Sequence, residues 1–186
     1  MSNAAAPALQ TLTNLQAAYE GESNASVRYI AFSIKAQVEG FTRAAALFRA
    51  AARAEQVHAA NHARVVAKLG AAPQATIHAP EVKSTRENLA AAKAGEEYER
   101  DVMYPTFIKE AEASGREDAV RSFSLAMKAE AVHAQLYGEA LANLEAQRTR
   151  TTFYVCLICG EVTDSPEETE ACPICNAPKE KFDAVR

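Results

Sequence analysis

Two short segments of this sequence carry a glutamate followed three residues later by a histidine. They are Glu55 with His58, and Glu130 with His133. On an α-helix this spacing places both side chains on one face. Carboxylate oxygens combined with imidazole nitrogens suit iron or manganese. The segments therefore predict metal ligands, although one isolated Glu-x-x-His is more often a solvated or hydrogen-bonded pair.

Each of these segments is preceded by a further glutamate at a nearly equal distance. Glu22 precedes the first segment, and Glu96 precedes the second. Each half of the chain thus supplies one glutamate and one Glu-x-x-His, which is the pattern of di-metal carboxylate sites in four-helix bundles. A coincidental repeat of both parts is far rarer than one isolated segment. We interpret the four elements as contributors to a single di-metal centre.

The glutamates interrupt faces that are otherwise apolar. In the second helical stretch, Phe48 and Leu69 lie at the ends of the seam that carries Glu55 and His58. A carboxylate at a buried position is costly unless it is paired or bound to a metal. The same interruption occurs near the middle of all four predicted helices, which strengthens the metal-site interpretation.

Four helical stretches must position these groups, over about residues 12–38, 42–69, 84–113 and 114–147, with a kink expected near Pro105. The predicted N-caps are Thr11, Thr13 or Asn14 for the first stretch, Thr42 for the second, Ser84 with Glu87 for the third and Ser114 with Glu117 for the fourth. Residues 71–83 lack a helical period and join the two hairpins. Fully extended they reach roughly 43 Å, close to the roughly 40 Å length of a 27-residue helix. The predicted fold is mainly α, a ferritin-like four-helix bundle with one long crossover.

Four cysteines near the end of the chain form two C-x-x-C pairs. The pairs are Cys156 with Cys159, and Cys172 with Cys175. Four thiolates in this arrangement predict a tetrahedral zinc or iron site, and the spacing alone leaves a structural zinc ribbon open. Gly160 and Asn176 follow the pairs, and both residue types tolerate a positive φ. Phe153, Tyr154 and Phe182 are expected to form a small core around this metal.

Composition excludes several classes of function. The 186-residue chain has a formal net charge of −4 and lacks the basic stripe of a nucleic-acid-binding protein. No apolar run approaches the ~18 residues of a membrane span, and residues 1–10 do not resemble a secretory signal. We therefore expect a cytoplasmic protein without a nucleic-acid or membrane partner. In a reducing cytoplasm, closely spaced cysteines favour metal binding over disulfides.

Four further side chains near the predicted site are ambiguous. His62 lies one helical turn beyond His58 and is expected to support a ligand or to pack in the core. Tyr29 and Tyr104 either hydrogen-bond ligand side chains or pack in the core, and hydrogen bonding is the favoured expectation for both. His78 falls in the crossover and is expected to be a surface residue.

With these motifs in place, the chain resembles the rubrerythrin family along essentially its whole length. The matching residues are Gly21, Glu22 and Ser23, Arg28 and Tyr29, Glu55 and His58, Gly95, Glu96 and Glu99, Met103, Tyr104 and Pro105, Glu130 and His133, and the two cysteine pairs. The resemblance implies a di-iron site with the ligands Glu22, Glu55, His58, Glu96, Glu99, Glu130 and His133. It also implies a rubredoxin-like iron tetrathiolate at Cys156, Cys159, Cys172 and Cys175, so that residues 1–148 and 149–186 form separate domains. Asn176 departs from the glycine usual in rubredoxins.

The resemblance further implies an activity: the reduction of hydrogen peroxide to water in defence against oxidative stress. The tetrathiolate iron would return electrons supplied by an external rubredoxin or reductase, and Glu99 would change its ligation with redox state. Two alternatives remain open, a ferroxidase that uses dioxygen and a structural module with zinc at the cysteines. About seventeen residues separate His133 from the cysteine domain, roughly 25 Å of helix. This distance predicts a homodimer in which electrons cross between subunits.

Overall fold

The computed structural model describes residues 5–165 and 170–186, with side chains described from residue 9 onward. Within these ranges, five α-helices precede a small β-sheet. The helices are α1 (Ala5–Val38), α2 (Thr42–Lys68), α3 (Thr85–Tyr98), α4 (Tyr104–Ala113) and α5 (Glu117–Ala142). Helices α3 and α4 are joined by a π-helical turn (Glu99–Met103) and together form the third member of a four-helix bundle.

The long crossover is as predicted. Residues 71–84 contain no regular secondary structure and run along α1. Gln16 Nε2 donates to the Ala72 carbonyl at 2.7 Å, and the amide of Thr76 donates to Glu20 Oε1 at 2.9 Å. His78 is exposed there. The ferritin-like bundle with one long crossover is therefore confirmed.

Three of the predicted helix caps are wrong. α1 is already helical at Ala5, the first described residue, because alanine favours helix, so the predicted start near residue 12 is too late. The hydroxyl of Thr11 instead lies 2.7 Å from that of Ser114, so these residues tie the start of α1 to the α4–α5 turn. Thr42 donates to the carbonyls of Arg148 and Thr149 rather than capping α2. The predicted capping box of Ser84 and Glu87 is confirmed at α3.

The irregularity expected at Pro105 takes the form of the π-helical turn. Proline has no amide hydrogen, and its ring collides with the carbonyl four residues earlier in a regular helix. The wider turn relieves this clash, and the amide of Tyr104 bonds to the Glu99 carbonyl five residues back. Pro105 then lies in the first turn of α4. Similarly, α5 ends at Ala142, earlier than predicted, and a 3-10 turn (Leu144–Arg148) follows it.

The cysteine segment folds into a three-stranded antiparallel sheet in the order β2–β1–β3. Its strands are β1 (Phe153–Cys156), β2 (Val162–Thr163) and β3 (Phe182–Val185). Phe182 packs against the cysteines as predicted, but Phe153 packs into the hydrophobic core of the bundle. A shared core therefore joins the two parts of the chain. The predicted boundary between residues 148 and 149 stays a prediction.

None of the described helices combines the length and the apolar composition that crossing a membrane requires.

Glu39 ties the end of α1 to the start of α3. Its carboxylate accepts hydrogen bonds from the amide and hydroxyl of Thr85, at 2.8 and 2.6 Å, and pairs with Lys35 at 2.9 Å. The Thr85 hydroxyl and Lys35 lower the pKa of Glu39 to about 2. The folded state thus binds fewer protons than the unfolded chain, so this stabilisation is present above about pH 4.5 and lost towards pH 2.

We expect Glu39→Gln to lower the free energy of unfolding by about 1 kcal/mol at pH 7, because the bonds to an ionised acceptor become bonds to a neutral one. The difference should shrink as the pH falls from about 4.5 towards 2, because the unfolded parental chain takes up a proton at Glu39 at a higher pH than the folded state does. Urea denaturation at pH 7 and pH 3 measures both values. A difference that does not depend on pH would contradict the assignment.

Candidate metal centres

The predicted ligands of the di-metal site converge from four helical segments near the middle of the bundle. Six of them are almost completely buried, namely Glu22, Glu55, His58, Glu96, Glu130 and His133. They form two groups in which the candidate ligand atoms lie within 4.8 Å of one another. The structure thus brings together residues that are more than a hundred positions apart in the sequence.

The composition of the two groups fits two candidate metal positions. Glu22 and His58 belong only to the first, and Glu96 and His133 belong only to the second. Glu55 and Glu130 belong to both. Two carboxylates shared between two sets of donors are the arrangement that a bridged pair of metal ions requires.

The histidines point one nitrogen of each ring into the site. His58 Nδ1 lies 2.9 Å from carboxylate oxygens of both Glu55 and Glu130, and His133 Nδ1 lies 2.7 Å from Glu130. The opposite nitrogens, Nε2, contact main-chain carbonyls, which only accept hydrogen bonds. Each Nε2 therefore carries a hydrogen, and Nδ1 is the nitrogen that can bind a metal ion once the ring has lost its second proton.

The electrostatics of these groups favour a cation. Burial and the negative charge of Glu130 raise the pKa of Glu55 to about 8. Burial and the charges of Glu55 and Glu130 also raise the pKa of Glu96 well above its usual range. Burial opposes the ionisation of Glu130, but His58 and His133 outweigh it and lower the pKa of this carboxyl. A bound cation would replace the protons that otherwise relieve this repulsion.

The hydrogen bonding of the site supports the same conclusion. Among the described residues, no donor reaches Glu22 Oε2 or Glu55 Oε1, although both atoms are buried. A buried carboxylate oxygen without a partner is costly. Hard carboxylate oxygens together with imidazole nitrogens are suitable donors for iron. The residues present therefore fit a pair of iron ions.

Glu99 lies beside this cluster without belonging to either group of ligand atoms. It is half-buried and begins the π-helical turn, where the backbone departs from regular helical geometry. Burial and the charges of Glu22, Glu130 and Glu55 raise its pKa well above the usual range. Glu99 is thus near enough to interact with the site, yet set apart from the six buried residues.

Both tyrosines, Tyr29 and Tyr104, contact carboxylates of the candidate ligand groups, as predicted. Tyr29 donates to Glu96 Oε1 at 2.6 Å, and Tyr104 donates to Glu22 Oε1. His62 is buried, with Nε2 3.1 Å from the Tyr104 hydroxyl and Nδ1 2.8 Å from the Ser122 hydroxyl. A chain of hydrogen bonds therefore extends from Glu22 through Tyr104 and His62 to Ser122.

We expect Tyr104→Phe to lower the free energy of unfolding of the metal-free protein by about 1–3 kcal/mol, because it leaves buried His62 Nε2 and Glu22 Oε1 without this partner. The matched control is Tyr98→Phe, which removes a hydroxyl from an exposed tyrosine on α3 and should change stability by less than about 0.5 kcal/mol. Chemical denaturation compares the two variants. Equal effects would show that the Tyr104 hydroxyl does not support the site.

The four cysteines converge as predicted. The sulfur atoms of Cys156 and Cys175 are 3.7 Å apart, and those of Cys159 and Cys172 are 3.5 Å apart. All four form one group of candidate ligands, and none of them is in a disulfide. A hydrogen bond from the Cys159 thiol lowers the pKa of Cys156 to about 5, which favours a thiolate. Four sulfurs at these separations fit one tetrahedral ion.

The two metal centres meet directly. His58 Nε2 donates to the Cys159 carbonyl at 2.9 Å, and His133 Nε2 donates to the Gly160 carbonyl at 3.0 Å. Nearby, Asn61 Nδ2 donates to the Ile158 carbonyl at 3.0 Å. The expectation that the cysteine domain lies roughly 25 Å from the di-metal site of its own chain is therefore wrong. The chain folds back beyond α5, since Phe153 and its neighbours bury against the bundle.

Arg43 of α2 strengthens this contact from a second side. Its guanidinium donates to Thr151 Oγ1 at 2.8 Å and to Asp164 Oδ2 at 2.5 Å, and it lies 5.1 Å from the centre of the Phe153 ring. The linker and both ends of the β1–β2 hairpin are thereby attached to one helix.

Three residues that contact or approach the site were not predicted from sequence. Ser122 bonds His62, and the buried hydroxyl of Tyr137 has no partner among the described residues. Glu161 is buried next to the first cysteine pair, and burial raises its pKa to about 7. No sequence pattern marked Glu161, because its burial depends on how the cysteine domain packs against the bundle.

Comparison with known proteins gives a consistent result over most of the chain. The model of the rubrerythrin family matches residues 13–141, and that of the rubrerythrin rubredoxin-like domain matches residues 154–183. Nigerythrin of Nitratidesulfovibrio vulgaris is 39% identical over 94% of this chain and 86% of its own length. Rubrerythrin-2 of Clostridium acetobutylicum is 33% identical over 91% of this chain and 94% of its own.

Solved structures agree. The structure of fully reduced, all-ferrous nigerythrin superposes with a TM-score of 0.87. The match covers 94% of this chain and 86% of the nigerythrin chain. A bacterioferritin of Desulfovibrio desulfuricans, 19% identical, covers 80% of this chain and 87% of its own with a TM-score of 0.72, which shows the common bundle fold.

Proposed function

Because the chain belongs to the rubrerythrin family, we propose that it is a peroxidase that reduces hydrogen peroxide to water in defence against oxidative stress. It contains a ferritin-like di-iron site and a rubredoxin-like four-cysteine site. The overall reaction takes one hydrogen peroxide, two electrons and two protons to two molecules of water. Bound as a ferrous pair, the two irons supply both electrons for cleavage of the O–O bond.

We propose that the ligands of the pair are Glu22, Glu55, His58, Glu96, Glu99, Glu130 and His133. Glu55 and Glu130 are the shared carboxylates and would bridge, while the others serve one position each. Glu99 is the candidate for a carboxylate that changes its ligation with redox state, because it alone of the seven lies outside both groups of ligand atoms and it begins an irregular turn. Tyr29 and Tyr104 orient Glu96 and Glu22 through hydrogen bonds.

The observation that carries this proposal is the contact between the two centres. The imidazoles of His58 and His133 each face the candidate di-metal site with Nδ1. With Nε2 they donate to the main-chain carbonyls of Cys159 and Gly160. A structural zinc module does not require contact between the two centres. A peroxidase does, because electrons must return to its di-iron site after each turnover. We propose that these two hydrogen bonds form the route from the tetrathiolate iron, which an external rubredoxin or reductase reloads.

The proposal is tested with the iron-loaded protein, a reductase, rubredoxin and hydrogen peroxide. Steady consumption of the reductant that depends on peroxide is expected. Turnover driven by dioxygen and ferrous iron, without turnover by peroxide, would instead identify a ferroxidase. A colourless protein with zinc at the cysteines would favour the structural module.

We also propose that the protein forms a homodimer. Since the cysteine domain lies against its own bundle, distance no longer requires a partner. The outer face of α1 nevertheless presents an apolar stripe of exposed side chains, Val27, Ile30, Ile34 and Val38, which supports association of two copies. Sedimentation equilibrium measures the oligomeric state.

The free cysteines favour a reducing compartment such as the cytoplasm.

A further inference from the structure

The two cysteine pairs end in the same backbone turn. Gly160 follows the first pair with φ +81°, and Asn176 follows the second with φ +59°. In each turn the amide of this residue donates to the carbonyl of the first cysteine of its pair, at 2.9 Å in both cases. Asn176 shows that this turn accepts a residue with a side chain. The positive φ alone therefore does not require glycine at position 160.

The backbone at Gly160 would accept a side chain, but the space around it would not. A Cβ atom built on Gly160 would lie 2.2 Å from His58 Nε2, 2.8 Å from Cδ2 and 3.0 Å from Cε1. The His58 ring is 1% exposed and is held on its opposite side by Glu55 and Glu130. Since a retreat of the ring would break these contacts, any side chain at position 160 must push the cysteine domain away from the bundle.

We infer that Gly160 is a positioning residue for electron transfer, because its lack of a side chain lets the first cysteine turn contact the di-iron histidines. The consequence reaches both hydrogen bonds between the centres: His58 donates to the carbonyl just before Gly160, and His133 donates to that of Gly160 itself. This inference rests on the proposed function. It assigns the two cysteine pairs different roles, since only the first meets the bundle histidines while Asn176 is exposed.

The chain supplies a matched pair of variants. Gly160→Asn places at the first turn the residue that the second turn already holds, and Asn176→Gly makes the reverse change at an exposed position. Both variants are prepared with iron in both sites and reduced without oxygen. On mixing with hydrogen peroxide, return of the tetrathiolate absorption measures electron transfer, and trypsin cleavage at the exposed Arg148 and Arg150 measures docking of the cysteine domain.

In Gly160→Asn we expect the tetrathiolate spectrum and midpoint potential to match those of the parent, and trypsin to cleave the linker faster. Electron transfer should be slowed about tenfold or more, since small displacements at a reacting contact have effects of this size. Asn176→Gly should match the parent in cleavage and electron transfer. A purely structural role of Gly160 would instead change the spectrum or the potential.

Parental electron transfer in Gly160→Asn would overturn the inference, whether or not linker cleavage changes. If this variant does not retain tetrathiolate iron, Gly160→Ala is measured in its place, because it adds the colliding Cβ with the smallest possible side chain. Loss of iron from both variants would show that Gly160 is needed for the cysteine site itself, which also overturns a positioning role. Failure of the parent to react with peroxide would refute the proposed function, while the cleavage assay would still report on docking.

Discussion

Glu130→Ala is expected to abolish peroxide turnover while leaving the helices intact. Glu130 lies between the two imidazoles, 2.9 Å from His58 Nδ1 and 2.7 Å from His133 Nδ1, and belongs to both groups of ligand atoms. Its loss therefore weakens both metal positions at once. Removal of residues that merely orient a ligand typically costs 10–100-fold in metal affinity or activity, so loss of a shared ligand should cost about a hundredfold or more.

Iron analysis, circular dichroism and peroxide-dependent turnover measure the three parts of this prediction. Glu55→Ala, the other shared carboxylate, should behave in the same way. Glu117→Ala is the control, because it removes an exposed carboxylate from the same helix, α5, and should retain iron and activity. Full peroxidase activity in the Glu130→Ala or Glu55→Ala variant would refute the ligand assignment.

Cys159→Ser is expected to stop steady turnover without disturbing the bundle. The substitution removes one of four sulfurs from a site in which the facing sulfurs are 3.5–3.7 Å apart. A di-iron site that has been reduced chemically beforehand should still react once with peroxide, because its own ligands are unchanged. Stopped-flow spectroscopy records this single reaction, and the rubredoxin-dependent assay records its failure to repeat. Unchanged steady turnover would show that electrons enter elsewhere.

A mixture of the Glu130→Ala and Cys159→Ser variants tests whether electrons pass within one chain. Each variant lacks one of the two centres, so recovery of activity requires a cysteine domain of one chain to face the bundle of another. The contact of His58 and His133 with the turn after Cys159 lies within one chain, and no recovery is expected after subunit exchange. Substantial recovery would show that paired chains exchange their cysteine domains.

Much of the bundle could be predicted from sequence, because helix periodicity and turn-forming glycines are local features. Gly40, Gly70 and Gly115 all adopt positive φ at the ends of the predicted helices. The caps at Thr42 and Ser114 could not be predicted reliably, because their hydroxyls bind distant parts of the chain. The sequence locates the irregularity at Pro105, where proline clashes with the preceding turn. It does not show that the helix responds with a π-helical turn rather than a kink.

The candidate di-metal site was predictable for a related reason. Carboxylates such as Glu55 and Glu130 stand out because they interrupt apolar seams, and the repeat identifies their partners. The contact between the two centres was not predictable, since it depends on packing of Phe153 and Arg43 between elements far apart in sequence. The expected separation of roughly 25 Å between the two centres assumed that the chain continues along the axis of α5. Burial of apolar side chains such as Phe153 instead folds the chain back against the bundle.

Electron transfer between the two centres is tested most directly by mixing the fully reduced, iron-loaded protein with hydrogen peroxide in the absence of oxygen and following the tetrathiolate absorption. We expect the bleached absorption to return promptly, because the oxidised di-iron site draws an electron from the tetrathiolate iron through the contact at His58 and His133. We also expect a slower response to an equal concentration of dioxygen. An absorption that stays bleached after peroxide is consumed, or that returns only with dioxygen, would contradict the proposed peroxidase.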